Sequence, residues 1–151
     1  MISKQPSAGF TLIEILIVIG LIAILAGIVL VAINPARQFA QARDAQRQSD
    51  IQTILNAVGQ KMVDNKGVFA VGGCNALPPS TTTIMTTSGS SSGELGCLVP
   101  MYLSALPFDP IAGSGTNTGY SIYQDVNGRV HVIATTTESA IPRTTPIEIV
   151  R

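Results

Sequence analysis

The residue best placed to do chemistry near the N-terminus is Glu14. It stands directly before 19 residues, from Ile15 to Ile33, that contain no polar or charged side chain. A carboxylate at the end of such a segment costs up to about 3 kcal/mol in an apolar environment. Glu14 therefore either reaches the membrane–water interface from a first helical turn or is kept to pair with a positive charge.

No group of residues in the sequence suggests catalysis. His131 is the only histidine and stands alone in a predicted strand, where a structural role is expected. There is no Gly-rich phosphate loop followed by Lys, and the Thr-rich runs are not nucleophiles without an activating base. We therefore expect a protein that is not an enzyme and that has no cofactor.

The apolar segment that follows Glu14 is long enough to span a membrane as a helix. Fourteen of its 19 residues are Ile, Leu or Val. These favour insertion by about 4 to 8 kcal/mol, more than the carboxylate opposes it. The segment is too long for the core of a secretory signal, and the only small-x-small triplet nearby, Ala40-Gln41-Ala42, lies well past its end. We expect the helix to stay on the protein.

Length and charge bound the rest of the chain. At 151 residues there is room for one domain besides the apolar segment. Nine Lys and Arg balance nine Asp and Glu, and no basic cluster follows Arg47. Nucleic acid is therefore not an expected partner.

A second helix is predicted after Asn34-Pro35, where Pro35 favours a kink or a new helix start with Asn34 as its cap. Ala36 to Lys66 is free of proline, and an apolar face runs from Ile51 to Met62. The half from Arg37 to Asp50 shows no matching stripe. Such a polar half either packs between subunits of a filament, which we favour, or is a solvated spacer.

The strands are expected late in the chain. Tyr120 to Val126 and Arg129 to Thr135 read as a hairpin joined by Asn127-Gly128, the preferred two-residue type I′ turn, and 146–151 as a third strand. Ser80 to Ser92, almost wholly Ser, Thr and Gly, is expected to be a mobile surface loop. The predicted fold class is α+β, with a long N-terminal helix packed on a small antiparallel sheet.

The run Gly9-Phe10-Thr11-Leu12-Ile13-Glu14, after a short leader with one Lys, resembles the processing site of type IV pilins and pseudopilins. In that family a prepilin peptidase cuts after the glycine and methylates the new N-terminus, which would be Gly9 and Phe10 here. The conserved glutamate of the family falls on Glu14. The resemblance covers about residues 1 to 66.

The resemblance implies four segments: a leader at 1–9, a transmembrane and assembly helix at 10–34, an exposed amphipathic half at 35–66, and a globular head at 67–151. It also implies a structural subunit that polymerises with copies of itself into a pilus or pseudopilus. Its other partners would be the peptidase, membrane lipid before assembly, and an assembly ATPase with an inner-membrane platform.

The expected location is the inner membrane, with a single pass and the N-terminus inside, and later an extracytoplasmic filament. Charge alone does not give this orientation. Lys4 and the amino group of Met1 favour it, whereas Arg37, Arg43 and Arg47 follow the helix and oppose it. The orientation follows from the resemblance.

Cys74 and Cys97 would then lie outside the cytoplasm, where disulfides persist. Pairing them would close a loop of about 24 residues, worth about 3 to 4 kcal/mol in the chain-entropy model. Two free thiols are the alternative. A zinc site is disfavoured because the cysteines and His131 supply at most three ligands.

The segment from Leu106 to Tyr120 is similar to the region before the last strands of the major type II secretion pseudopilin, whereas the cysteine pair favours a pilin. Some pseudopilins bind calcium near here, but only Asp109 and Asp125 are available, so no metal is expected. The alternative of another class is a membrane-anchored binding protein that never polymerises, with the loop between Cys74 and Cys97 as its recognition surface.

Overall fold

The computed structural model describes residues 9–89, 91–143 and 145–151. The predicted leader, residues 1–9, lies outside this range except for Gly9. The helices are α1 (Leu12–Ala32) and α2 (Pro35–Asp64), with a short 3-10 helix at Gly96–Leu98. The strands are β1 (Thr82–Met85), β2 (Asn117–Gln124), β3 (Val130–Ala134) and β4 (Ile147–Val150). The chain divides into two compact units, an N-terminal unit that ends at Gln38 and a C-terminal unit, Phe39–Arg151. We call the part of the C-terminal unit that follows α2 the head.

Each helix in the N-terminal unit has its own start signal. The side chain of Thr11 caps α1 by accepting the backbone N–H of Glu14 at 3.3 Å. Asn34 Oδ1 accepts the backbone N–H of Arg37 at 3.2 Å, and Pro35 is the first residue of α2, where its missing N–H does no harm. The predicted helix start with Asn34 as its cap is confirmed.

The head contains a four-stranded antiparallel sheet in the order β1-β2-β3-β4. In its centre Ile122 pairs with Val132, which in turn pairs with Ile149 of β4. Neighbouring strands follow one another in the chain, so each connection is a simple reversal. The α+β class, with helical segments followed by a small antiparallel sheet, is confirmed.

The apolar face of α2 forms the hydrophobic core with the sheet. Ile51, Ile54 and Val58 are fully buried in the same cluster as Ile122 and Val132. Their spacing along α2 puts them on one side of the helix, while alternation along the strands selects one side of the sheet. The predicted contact between this stripe and the sheet is confirmed.

The predicted type I′ turn of the β2–β3 hairpin was wrong. The backbone N–H of Gly128 donates to the carbonyl of Asp125, and Gly128 has a φ of 81° while Asn127 does not have a positive φ. A type I′ turn needs a positive φ at both central residues. The loop is instead a type I turn over 125–128 whose last residue, Gly128, is left-handed. This is the usual three-residue hairpin connection.

Part of the predicted mobile loop, Ser80 to Ser92, is strand β1. Ile84 is fully buried, and its carbonyl accepts the hydroxyl of buried Thr118 at 2.8 Å. Beyond the strand, Glu94 accepts the hydroxyl of Thr87 and the backbone N–H of Ser91, each at 2.9 Å. Composition misled the prediction, because threonine suits a strand and one buried isoleucine is enough to attach it.

Cys74 and Cys97 form a disulfide, with Cα atoms 5.4 Å apart. Cys74 is 7% exposed and belongs to the core cluster. The bond joins the segment that follows α2 to the short 3-10 helix, so it closes the loop that contains β1.

Candidate functional site

The bond between Gly9 and Phe10 lies in an exposed segment without regular structure, directly before α1. The Phe10 side chain is 81% exposed. A Cβ at Gly9 would meet no atom within 4 Å, and Gly9 has no positive φ. Within the described residues, no contact or backbone angle therefore requires glycine at position 9.

Glu14 is the third residue of α1, within the turn where backbone N–H groups are unpaired and the helix dipole favours a negative charge. Its backbone N–H donates to Thr11, but its carboxylate has neither a hydrogen bond nor an ion pair with any residue that the structure describes. The first turn thus presents an accessible anion four residues after Phe10.

The surface of α1 is apolar on all sides. From Leu12 to Leu30 its mean hydropathy is 3.0, and its large apolar side chains described in the structure are 48% to 84% exposed. Gly20 and Gly27, which with Ala23 form a strip of small residues, have open space where a Cβ would be. A helix that is apolar on every side needs lipid or other helices around it.

The buried face of α2 continues into the half for which no stripe was predicted. Ala40 and Arg47 are fully buried. Arg43 and Asp44 lie between them and are partly buried. These positions continue the helical spacing backward from Ile51. The expectation of a polar half without a packed face was wrong, because its inward positions carry charged side chains that contact the head.

Two arginines of α2 and two acids of the head form a buried charge network: Arg43, Arg47, Asp109 and Glu138. Arg47 donates from Nε to Asp109 Oδ2 at 2.6 Å and from Nη1 to Glu138 Oε1 at 2.7 Å. Arg43 donates from Nε and Nη2 to the two oxygens of Glu138, at 2.8 and 2.7 Å. Two cations thus face two anions, so the buried charges compensate one another.

Asp109 also organises the loop in which it lies. Its Oδ1 accepts the backbone N–H groups of Ile111 and Ala112, each at 2.8 Å. Its own N–H donates to the carbonyl of Thr118 at 2.8 Å. Gly119 passes beneath with a φ of 80°, and a Cβ there would come 2.7 Å from that of Asp109. One carboxylate therefore holds both α2 and the loop before β2.

The network shifts the pKa of both acids downward. Burial alone would raise the pKa of Asp109, but hydrogen bonds from Arg47 and from two backbone N–H groups outweigh it and lower that pKa. For Glu138, hydrogen bonds from Arg43 act most strongly; burial opposes them, Arg47 adds to them, and the pKa falls to about 2. Both acids consequently stay ionised at neutral and mildly acidic pH.

The other two charged residues in this part of α2 also face the head. Asp44 accepts from Arg143 at 3.1 Å, and Asp50 accepts the hydroxyl of fully buried Tyr120 at 2.7 Å. Burial followed by the neighbouring Asp50 raises the pKa of Tyr120, so this hydroxyl remains a donor at any ordinary pH. Every charged residue between Phe39 and Gln60 thus has a partner on the head.

The outward side of α2 is left without charge, and we call it the neutral face. It consists of exposed residues between positions 39 and 53, namely Phe39, Gln41, Ala42, Ala45, Gln46, Gln48, Ser49 and Thr53. A solvated helix ordinarily turns its charged side chains outward. Depletion of charge is instead typical of surfaces that another protein covers.

The remaining predicted residues lie elsewhere. The structure brings Cys74 and Cys97 together, while His131 lies in β3 beside Asp125 and Glu148, away from both cysteines and from Asp109. Within the described ranges, no group of three His, Cys, Asp or Glu side chains is arranged to hold a metal ion.

Sequence reasoning missed Arg43, Arg47 and Glu138. Counting back from Ile51 in steps of three and four would have placed both arginines on the inward face of α2. Their acidic partners gave no such signal, because Asp109 lies 62 residues and Glu138 lies 91 residues after Arg47. The predicted stripe considered only apolar residues, so charged members of the same face were overlooked.

The model of one protein family, the prokaryotic N-terminal methylation motif, matches residues 4–30. This match contains Gly9, Phe10 and Glu14 together with most of α1. Comparisons with curated proteins and with solved structures find no match. The chain therefore carries the prepilin-type signature of type IV pilins and pseudopilins, as the sequence predicted.

Replacing Glu138 by Gln should destabilise the head by about 3 kcal/mol at neutral pH, because it leaves part of the buried arginine charge uncompensated. The pKa of this carboxyl is depressed in the folded state, so its contribution is present above about pH 4.5 and disappears as the pH falls toward about 2. Denaturant unfolding from pH 7 to pH 2 should show the two proteins converging in acid.

The matched control is Glu94→Gln, since Glu94 bonds Thr87 and Ser91 rather than an arginine. The free energy of unfolding of this variant should decrease toward acid pH as that of the wild type does. A constant difference between Glu138→Gln and wild type over the whole range would contradict the assigned role of the carboxylate.

Proposed function

We propose that this chain, which carries the prepilin-type signature, is a structural subunit of a type IV pilus or pseudopilus. It is stored in the inner membrane through α1, loses residues 1–9, and polymerises through its N-terminal helix. The observation that carries the proposal is Glu14, a carboxylate in the first turn of a helix that is otherwise apolar on every side and lies just after the matched processing site.

Processing gives that carboxylate a partner. A free or methylated amine at Phe10 has a pKa near about 8 and is mostly cationic at neutral pH. At about 4 Å and an effective dielectric near 20, it attracts a carboxylate by about 4 kcal/mol before desolvation. The amine of one subunit meeting Glu14 of its neighbour would fix the axial register, because other registers leave both charges unpaired.

The energetics of α1 imply further partners. Its apolar residues favour lipid by several kcal/mol, so withdrawal of the helix into a filament is unfavourable without an energy source. The sequence has no phosphate-binding loop with which to use a nucleotide. An assembly ATPase and an inner-membrane platform would supply the work, and a prepilin peptidase would release the mature chain.

The N-terminus would lie on the cytoplasmic side, as the resemblance to prepilins implies. Lys4 and the N-terminal amine favour this orientation, and Arg37, Arg43 and Arg47 after α1 oppose it.

The neutral face of α2 supports packing between subunits along the second helix. Burial against another copy would remove no charge from water there, and the amides and hydroxyls of this face could form hydrogen bonds with the neighbouring copy. The sequence favoured this kind of contact for the polar half of the helix. The charged side is occupied by the head, so the proposed contact would use the neutral face.

The processing step is tested on the mature protein. Mass spectrometry of the chain purified from filaments should show an N-terminus at a methylated Phe10, without residues 1–9. An intact Met1 in the working protein would refute processing at this site.

Assembly is tested by Glu14→Ala and by the near-isosteric Glu14→Gln. Both should insert into the membrane normally, since removal of a charge from α1 only favours lipid. Both should lose filament, by at least tenfold in sheared-filament yield, because the Phe10 amine loses its partner. If the protein is instead a membrane-anchored binding protein that never polymerises, these changes should leave its function unaffected. An unchanged filament yield would contradict the proposed mechanism.

The neutral face is tested by Ala45→Glu, with Ala76→Glu as the matched control on an exposed loop of the head. A carboxylate buried without a partner at a subunit contact is strongly unfavourable, so Ala45→Glu should lower filament yield about tenfold or more. Thermal unfolding of the head should be the same in both variants. Equal yields would exclude this side of α2 from the assembly contact.

A further inference from the structure

One cluster of ionisable side chains in the head takes no part in the proposed assembly. It lies on the sheet and consists of Tyr123 on β2, Asp125 and Arg129 at the β2–β3 turn, His131 on β3, and Glu148 on β4. His131 is only 8% exposed, although residues 123, 131 and 148 fall on the opposite side of their strands from the core residues Ile122 and Val132. We call it the His131 cluster.

Each nitrogen of the His131 ring faces a different carboxylate. Nδ1 lies 2.6 Å from Glu148 Oε1, and Nε2 lies 3.4 Å from Asp125 Oδ2. The ring stacks on Tyr123 with centroids 4.2 Å apart and an interplanar angle of 18°. Stacking fixes the ring plane, so both nitrogens are held toward their acids at once.

Asp125 and Glu148 differ in the hydrogen-bond donors that they have besides His131. Asp125 also accepts from the guanidinium Nε of Arg129 at 2.9 Å and from the backbone N–H groups of Asn127 and Arg129. Glu148 has a weaker second donor, the hydroxyl of Tyr123 at 3.3 Å. Glu148 therefore depends most on His131, and it is the residue through which the imidazole holds β4.

Only a charged imidazole donates from both nitrogens. In the neutral ring one nitrogen carries a lone pair, which would then point at a carboxylate without a proton between them. With a charged ring the two cations, His131 and Arg129, balance Asp125 and Glu148. With a neutral ring the cluster carries one uncompensated negative charge.

We propose that His131 is a pH-sensitive clasp that fastens strand β4, through Glu148, to the β2–β3 hairpin. β4 is one of the two edge strands of the sheet and, among the described residues, pairs with β3 alone. The clasp is closed while the imidazole is charged and opens when a rise in pH removes one of its two ring protons. Loss of the proton weakens attachment of β4 before it affects the core between α2 and the sheet.

Hydrogen exchange on the full chain in detergent micelles tests the clasp. Protection of the Ile147–Val150 amides would be measured between pH 5 and pH 8, corrected for intrinsic exchange, with the buried amides of 54–58 in α2 as an internal reference. The wild-type β4 protection should fall about tenfold relative to that reference as the pH rises, as expected for loss of a hydrogen bond to a charged group. This chain has a single histidine, so no other imidazole contributes.

Two variants separate the clasp from a general loss of stability. His131→Gln keeps one donor without a titrating ring, and its β4 protection should not vary with pH. Glu148→Gln keeps the imidazole but removes the anion, and should reduce the pH effect to less than about threefold. A wild-type β4 whose protection is independent of pH would overturn the proposal, as would an equal pH dependence in His131→Gln.

Discussion

The contact between Arg47 and its two acids, Asp109 and Glu138, is the interaction around which the head is arranged. It joins α2 to the loop before β2 and to the segment before β4, two parts of the chain that otherwise have no reason to meet. A fully buried guanidinium is tolerable only when acids of matching geometry surround it. Both segments are therefore held to the same helical side chain, and Arg43 and Asp44 add contacts to the segment before β4. Gly119 is required because the loop passes so close to Asp109.

The same contact explains why the two halves of α2 look so different in sequence yet use one face. From Ile51 onward the inward positions are apolar and meet the sheet. Before Asp50, loops lie opposite the helix in place of the sheet. The backbone and side chains of these loops are polar, so the matching inward residues are charged. The helix thus keeps one packed side along its length, and its chemistry changes with what lies opposite.

Local patterns predicted much of this architecture. The capping residue Asn34, the stripe from Ile51 to Val58 and the strands around the β2–β3 hairpin all follow from spacing within a few residues. The predicted turn type was wrong because Asn127-Gly128 is compatible with two kinds of hairpin connection. The choice between them depends on the register that Asp125 imposes. The prediction missed strand β1 because its pairing with β2 leaves only one clear mark in the sequence, the buried Ile84. The charge network could be predicted on the helix side only, since its acids are far away in sequence.

The large separations within the network have a kinetic consequence. Arg43 and Arg47 meet Glu138 across 95 and 91 residues, and such long-range contacts raise the contact order of the fold and so slow its folding. Until they form, both arginines and their neighbouring acids on α2 lack their partners in the head.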